Sequence, residues 1–170
     1  MSFGESILST AIGAFLGFAF ALALYWVKES LSAGQNKKNA IKNLRYELEY
    51  NLNLYGEFKR KITDTIESIN SDEHSVHLNL DYEFIGFYFA RQFYNGGYLT
   101  EFLHQEDMKR WNVFLSHLSP GSEEYVEELV GKWRDTKIEK NAVVNSLKNE
   151  RSHVDYAIEM TQYLLDRIKL

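Results

Sequence analysis

The sequence predicts an all-α protein with one N-terminal transmembrane helix in residues 1–30 and a bundle of helices in residues 31–170. Three features of the 170-residue chain predict this class. A long uncharged apolar segment lies near the start, apolar residues beyond it recur three and four positions apart, and the chain has one proline and ten glycines. Recurrence at three and four positions lines one face of a helix, whereas strands alternate with a period of two.

Residues 7–27 form the predicted membrane helix. These 21 residues carry no charge, and Glu5 is the only charged residue before Lys28. At 1.5 Å per residue such a helix is about 31 Å long, the thickness of a bilayer's hydrocarbon core. A cleaved secretory signal is disfavoured, because no Lys or Arg precedes the segment and its apolar run continues through Trp26. We therefore expect a transmembrane anchor.

The residues that flank this helix predict its orientation. Basic residues hold a flank on the cytoplasmic side when they lie within about 20 positions of the span. No basic residue precedes the span, and those that follow it closely are Lys28, Lys37, Lys38, Lys42 and Arg45. We expect a single-pass protein with its N-terminus outside and its helical domain in the cytoplasm.

One face of the membrane helix carries small residues at every fourth position. They are Ser9, Gly13, Gly17 and Ala21, and the pair Gly13 and Gly17 fits the G-x-x-x-G pattern. Small side chains let two backbones approach closely in lipid, so this face predicts a helix–helix interface in a homo-oligomer. The alternative is that Gly and Ala are simply frequent in membrane helices.

A long helix is predicted next, from residue 35 to residue 70, after a possible break at residues 31–34. Its apolar stripe consists of Ile41, Leu44, Leu48, Leu52, Tyr55, Phe58, Ile62, Ile66 and Ile69. The stripe fits either the first helix of an intramolecular bundle or a coiled-coil stalk. Asn51, Asn53 and Gly56 interrupt the heptad pattern, which favours the bundle.

Residues 71–79 are predicted as a loop, and the composition then becomes strongly aromatic. Eight aromatic residues lie between Tyr82 and Tyr98, on spacings that fit a helix better than a strand. We expect a central helix with a packed aromatic core, ended by Gly96 and Gly97. Stacking on a ligand is the alternative use of these rings.

The C-terminal half is predicted to be helical from residue 100 to residue 118 and again from residue 122 onward. The turn between the two stretches is predicted at residues 119–122, where Pro120 and Gly121 stand together. A possible cap at Ser152 leaves open whether the last stretch is one helix or two.

Sequence motifs of catalysis are missing from the chain. The sequence has no cysteine and matches neither the phosphate-binding nor the dinucleotide-binding glycine motif, the nucleophile elbow or the H-E-x-x-H zinc motif. His74 and His77 are the best metal candidates, but the sequence offers no third ligand close by. We expect no catalytic residue, no metal and no cofactor.

Three cationic residues are the candidates for binding an anionic ligand. Arg91 interrupts the aromatic segment, and Lys132 and Arg134 flank Trp133. An arginine among aromatic residues is costly to bury without a partner. The favoured interpretation therefore pairs Arg91 with Glu47 or Glu83, and ligand binding is the alternative.

Two short motifs carry a resemblance to a group of proteins. The segment LRYELEYNL at 44–52 and the segment YNGGYL at 94–99, behind a membrane helix rich in Gly and Ala, are similar to those of small bacterial membrane-anchored proteins. In that group Glu47 and Asn51 match recurring polar positions. Some of these proteins are membrane effectors of antiphage defence, and one subset, associated with type III CRISPR systems, binds cyclic oligoadenylate through a cytoplasmic domain.

The resemblance implies a location in the bacterial inner membrane and two functional hypotheses. In the first, the helical domain binds a signal, such as a cyclic oligonucleotide, and rearranges the oligomerised membrane helices without enzymatic chemistry. In the second, the chain is an anchor or adaptor for a cytoplasmic defence protein. The expected partners are the lipid bilayer, further copies of the chain, and either a cyclic oligonucleotide or a cytoplasmic defence protein.

Overall fold

The computed structural model describes the backbone of residues 3–168 and the side chains of residues 20–111 and 118–168. Within that range it contains five α-helices and no strand, which confirms the all-α class. They are α1 (Phe3–Asn70), α2 (Tyr88–Asn95), α3 (Gln105–His117), α4 (Glu124–Arg134) and α5 (Lys140–Arg167). Two short 3-10 helices, Tyr82–Phe84 and Tyr98–Glu101, lie on either side of α2.

Contacts within the chain divide it into two units, Met1–Asn39 and Ala40–Leu170. In the described part of the first unit the apolar side chains are exposed; they include Phe20, Leu24, Tyr25, Trp26 and Leu31. Among the residues that the structure describes, no helix carries an apolar stretch long enough to cross a bilayer. The side chains of residues 7–19 in the predicted span lie outside the described residues.

The predicted small-residue face falls almost entirely on that same segment. Ser9, Gly13 and Gly17 lie outside the residues whose side chains are described, and Ala21 is exposed on α1.

The break predicted at residues 31–34 is wrong, because α1 continues through Gly34. A glycine inside a helix costs only about 1 kcal/mol relative to alanine. No proline stands near Gly34, and good helix formers such as Ala33 and Gln35 flank it. The helix then ends at Asn70, as the sequence predicts.

The apolar stripe of α1 forms one wall of the core of the second unit. Leu44, Tyr55, Ile62 and Ile69 are fully buried, and only Leu52 of the stripe is partly exposed. The stripe packs with buried side chains of α2, α4 and α5 of the same chain. This arrangement confirms the intramolecular bundle and not the coiled-coil stalk.

The aromatic segment forms less helix than the sequence predicts. Residues 82–84 form a 3-10 turn, and α2 begins only at Tyr88, after an extended stretch around Gly86. Tyr82 and Phe93 belong to the core, whereas Phe84, Tyr88 and Tyr94 are exposed. The prediction of a packed aromatic core is therefore confirmed for only part of the segment. The predicted stop is confirmed, since α2 ends at Asn95 and Gly97 has a φ of 75°.

The C-terminal stretch consists of two helices that separate at residues 135–139. The predicted turn at residues 119–122 lies between α3 and α4, where Gly121 has a φ of 90°. The cap suggested at Ser152 is wrong: this residue lies inside α5, where its hydroxyl donates to the carbonyl of Lys148 at 3.0 Å. Helix α5 packs against α3 and α4.

Candidate functional site

The outer face of α2 borders an open pocket of about 450 Å³ in the second unit. Residues of α2 and of the segments before and after it line this pocket; they are Ile85, Phe87, Tyr88, Arg91, Gln92, Asn95 and Pro120. The members from α2 lie three and four positions apart, which places them on one face of the helix. The pocket thus combines aromatic rings, one cation and two side-chain amides.

Arg91 is exposed on this face, and the pairing with Glu47 or Glu83 that the sequence favours is wrong. Among the described side chains it forms no ion pair, and neither Glu47 nor Glu83 pairs with it. The physical reason is the shortness of α2, whose buried side consists of Ala90 and Phe93 and leaves Arg91 toward solvent. A solvated guanidinium needs no carboxylate partner, and its five donors stay available to an anion.

Tyr88 and Gln92 accompany Arg91 in the pocket. The Gln92 side-chain nitrogen donates to the Tyr88 hydroxyl at 2.9 Å, a contact between consecutive turns of α2. Its carbonyl oxygen is left to accept a hydrogen bond from a ligand. The Tyr88 ring also contacts Phe89 edge-on, with 5.1 Å between the ring centroids. An exposed ring beside a guanidinium can stack on a planar ligand group.

Glu47 of α1 holds the start of α2. Its two carboxylate oxygens accept hydrogen bonds from the backbone N–H groups of Phe89 and Ala90, each at 2.8 Å. These donors lie in the first turn of the helix, where N–H groups lack partners within the helix and favour a negative charge. The N-cap residue, Phe87, supplies no side-chain cap. Glu47 therefore replaces the missing cap from another helix.

Asn51 holds the backbone just before α2. Its side-chain nitrogen donates to the Gly86 carbonyl at 2.6 Å, and its side-chain oxygen accepts from the Gly86 N–H at 2.9 Å. Glu47 and Asn51 lie one turn apart on α1 and are both buried. Together they secure four backbone groups between residues 86 and 90.

Three carboxylates hold residues 80–82 in a similar way: Glu123 just before α4, Glu127 in α4 and Glu150 in α5. The Leu80 N–H donates to Glu127 at 2.8 Å, the Tyr82 N–H to Glu123 at 3.3 Å, and the Tyr82 hydroxyl to Glu150 at 2.6 Å. Burial raises the pKa of the Glu127 carboxyl, and nearby acidic groups, Glu123 foremost, raise it further against the effect of the Leu80 N–H. Burial and the bond to Glu150 raise the pKa of Tyr82.

Lys132 and Arg134 lie on α4 and do not line the pocket of Arg91. The Lys132 ammonium is 2.7 Å from the Glu128 carboxylate, one turn earlier. The Arg134 guanidinium is 2.7 Å from Nδ1 of His77 and 3.8 Å from the Asp135 carboxylate. Both predicted ligand residues thus have side-chain partners, whereas Arg91 has no ion pair among the described side chains.

The two candidate metal ligands contact the end of α4 instead of each other. His74 stacks on Trp133 with 4.4 Å between the ring centroids, and His77 faces Arg134. Within the described ranges, no three histidine, aspartate or glutamate side chains come together to hold a metal ion.

Arg91 is predicted from the sequence as a candidate ligand residue, whereas the residues around it in the pocket are not. The helical spacing of Tyr88, Arg91, Gln92 and Asn95 carries a usable signal, because these positions share one face of a helix. Pro120 lies 25 residues beyond Asn95 in the chain, and no local pattern places it at the pocket. Chemically, the site can pair with one anionic group, stack on a planar group and exchange amide hydrogen bonds.

No protein-family model, curated protein or solved structure matches this chain.

Proposed function

We propose that this protein is a non-enzymatic, membrane-anchored effector of bacterial antiphage defence whose helical domain binds a nucleotide signal. In this proposal the signal binds at the α2 pocket and changes how the membrane helices of an oligomer pack. The observation that carries it is Arg91, an exposed guanidinium without an ion pair among the described side chains, at a pocket that also offers Tyr88 and two amides.

The chemistry of the pocket fits a phosphate ester joined to a planar base. Arginine presents a flat fork of donors that matches two phosphate oxygens, and base–aromatic stacking contributes about 1–3 kcal/mol per base. A cyclic oligonucleotide offers both groups several times around its ring. A homo-oligomer of this chain would offer the pocket several times as well.

The membrane part of the proposal rests on the sequence and on exposed apolar side chains. Residues 7–27 carry no charge, and basic residues follow them on one side only. Within the described part of this segment Phe20 and Trp26 are 67% and 70% exposed. Lipid would cover such side chains, and the ring of Trp26 suits the boundary between headgroups and hydrocarbon.

Ligand binding by the full chain in lipid nanodiscs tests the proposal. We expect cyclic tri-, tetra- or hexa-adenylate to bind, and Arg91→Ala to weaken binding about ten-fold or more, since hydrogen bonds to charged groups contribute about 1.5–3 kcal/mol. Arg60→Ala is the matched control, because Arg60 is exposed and pairs with Asp64 on its own helix. The absence of binding at micromolar concentration in low salt would contradict the proposal.

The adaptor function is the second candidate, and the exposed aromatic residues favour it. Phe84, Tyr88 and Tyr94 are 57%, 65% and 46% exposed, and aromatic side chains are enriched at protein interfaces. A protein partner would depend on Phe84, which lies outside the pocket lining. Loss of partner capture in Phe84→Ser, with capture retained in Arg91→Ala, would support the adaptor against the nucleotide receptor.

A further inference from the structure

We infer that Glu47 and Asn51 are positioning residues of the α2 pocket, which fix the backbone of residues 86–90 and thereby aim Tyr88 and Arg91 at the same ligand. The inference deepens the proposed function and rests on it wherever ligand affinity is concerned. The position of the backbone can be measured without any ligand.

The hydrogen bonds of Glu47 and Asn51 bracket the part of the pocket that α2 contributes. Asn51 binds Gly86, two residues before Tyr88, and Glu47 binds Phe89 and Ala90, which lie between Tyr88 and Arg91. A helix of eight residues is marginal by itself, so its position depends on contacts with the rest of the fold. These contacts come from α1, whose neighbouring residues Leu44 and Leu48 are anchored in the core.

Burying Glu47 and Asn51 costs desolvation free energy, which the hydrogen bonds of these residues must offset. Glu47 is 6% exposed and Asn51 is 1% exposed, and Glu47 has no ion pair among the described side chains. The free-energy cost of removing a carboxylate from water offsets much of the stability that its hydrogen bonds contribute. An arrangement of this kind specifies one backbone position, and the groups whose position it specifies are those of the pocket.

The expected effect on binding follows from the fraction of molecules with a competent pocket. When the start of α2 is held in only one tenth of the molecules, the apparent affinity falls about ten-fold although every ligand contact is retained. We therefore expect Glu47→Gln and Asn51→Ala to weaken binding of cyclic oligoadenylate about ten-fold. Neither residue lines the pocket itself.

Amide hydrogen exchange of the full chain in nanodiscs, followed by nucleotide titration, tests the inference. We expect exchange at residues 86–90 to accelerate about ten-fold in both variants, while α5 keeps its protection. Asn51→Asp retains the acceptor for the Gly86 N–H and serves where Asn51→Ala does not fold. Glu49→Gln and Asn53→Ala are matched controls, since both residues are exposed two positions further along α1.

A variant that destabilises the fold away from the pocket tests whether a general loss of stability alone would change residues 86–90. Arg45→Gln removes hydrogen bonds to the end of α5 and leaves residues 86–90 untouched. We expect it to lower the melting temperature without changing exchange at residues 86–90 or nucleotide affinity. Unchanged exchange at 86–90 in Glu47→Gln and Asn51→Ala would overturn the inference, as would faster exchange with unchanged affinity. If the wild type binds no nucleotide, the proposed function fails, and the exchange result still decides whether the pair positions this backbone.

Discussion

Residues 80–90 comprise the end of the α1–α2 connection and the first turn of α2, and several of their polar groups bond to side chains of other parts of the fold. Five side chains of α1, the start of α4, α4 itself and α5 are the partners, and four of them are buried: Glu47, Asn51, Glu123 and Glu150. The fifth, Glu127, is partly exposed. Of these carboxylates, Glu127 has a pKa that differs from its ordinary value, and a carboxylate changes its hydrogen-bonding capacity when it binds a proton.

The raised pKa of Glu127 determines how the stability of the fold changes with pH at this residue. Burial raises its pKa in the folded protein, so the folded state binds the proton more tightly than the unfolded state. The stability that protonation contributes is present below the ordinary glutamate pKa and is lost as pH rises through the raised one. Glu127→Gln should therefore raise the melting temperature near pH 8 and leave it unchanged near pH 4.

Thermal unfolding of the two proteins across this pH range measures the difference. The Gln side-chain oxygen still accepts the hydrogen bond from the Leu80 N–H, so charge is the main property that changes. Glu128→Gln is the control, because Glu128 is exposed and pairs with Lys132. A Glu127→Gln protein that is less stable than the wild type near pH 8 would contradict the sign.

Single residues were predictable where their effect is local. Arg91 stood out because a cation among aromatic residues is unusual, but its exposure depends on where α2 begins, 88 and not 82. The roles of Glu47 and Asn51 were not predictable from spacing, since their partners are backbone groups 35 to 43 residues away. A buried carboxylate that caps a distant helix leaves no periodic pattern.

At the scale of helices, the end of α5 depends on a side chain of α1. The Arg45 guanidinium donates to the carbonyls of Leu165 and Ile168 at 3.1 and 2.7 Å. A cation at the C-terminal end of a helix satisfies carbonyls that lack partners and complements the helix dipole. Arg45→Gln should lower the free energy of unfolding by about 1–3 kcal/mol, measured by chemical denaturation.

Arg60→Gln provides the comparison for Arg45. Arg60 is exposed and pairs with Asp64 one turn along α1, a type of pair that contributes about 0.5 kcal/mol or less. Equal losses in the two variants would show that Arg45 acts as an ordinary surface charge and not as the cap of α5.

The small-residue face of the predicted membrane helix leads to a prediction about oligomerisation. Gly17→Leu places a large side chain on the Ser9–Gly13–Gly17–Ala21 face and should weaken the proposed homo-oligomer in detergent, because close approach of the backbones depends on small residues. Light scattering of the solubilised protein measures its mass. Ala11→Leu adds the same side chain on the opposite side of the helix and should leave the mass unchanged. An unchanged mass in Gly17→Leu would assign the interface to residues 31–170.

Helix ends were predictable where glycine or proline sets the backbone, as at Gly97 and Pro120. They were not predictable where tertiary contacts decide. Gly34 does not interrupt α1, and the boundary between α4 and α5 lies at residues 135–139, where Thr136 has a φ of 58°, and not at Ser152. A positive φ at a β-branched residue is unfavourable in isolation, and the surrounding fold must hold it.

For the whole molecule, the uneven charge of the chain predicts its topology. The net charge is −5, yet the residues just after the uncharged segment are predominantly basic. A reporter that is active only in the periplasm should be inactive when it is fused after Leu170, because the positive-inside rule assigns a basic flank of a membrane helix to the cytoplasmic side. Strong activity of this fusion would reverse the proposed orientation.

In the proposed function, a ligand at the α2 pocket changes the permeability of a membrane. Dye release from liposomes that contain the full chain measures this directly. We expect cyclic oligoadenylate to trigger release through the wild-type protein, and Arg91→Ala to abolish the response while Arg60→Ala retains it, because only Arg91 belongs to the pocket. Liposomes that keep their dye while the wild-type protein is saturated with the nucleotide would contradict the account.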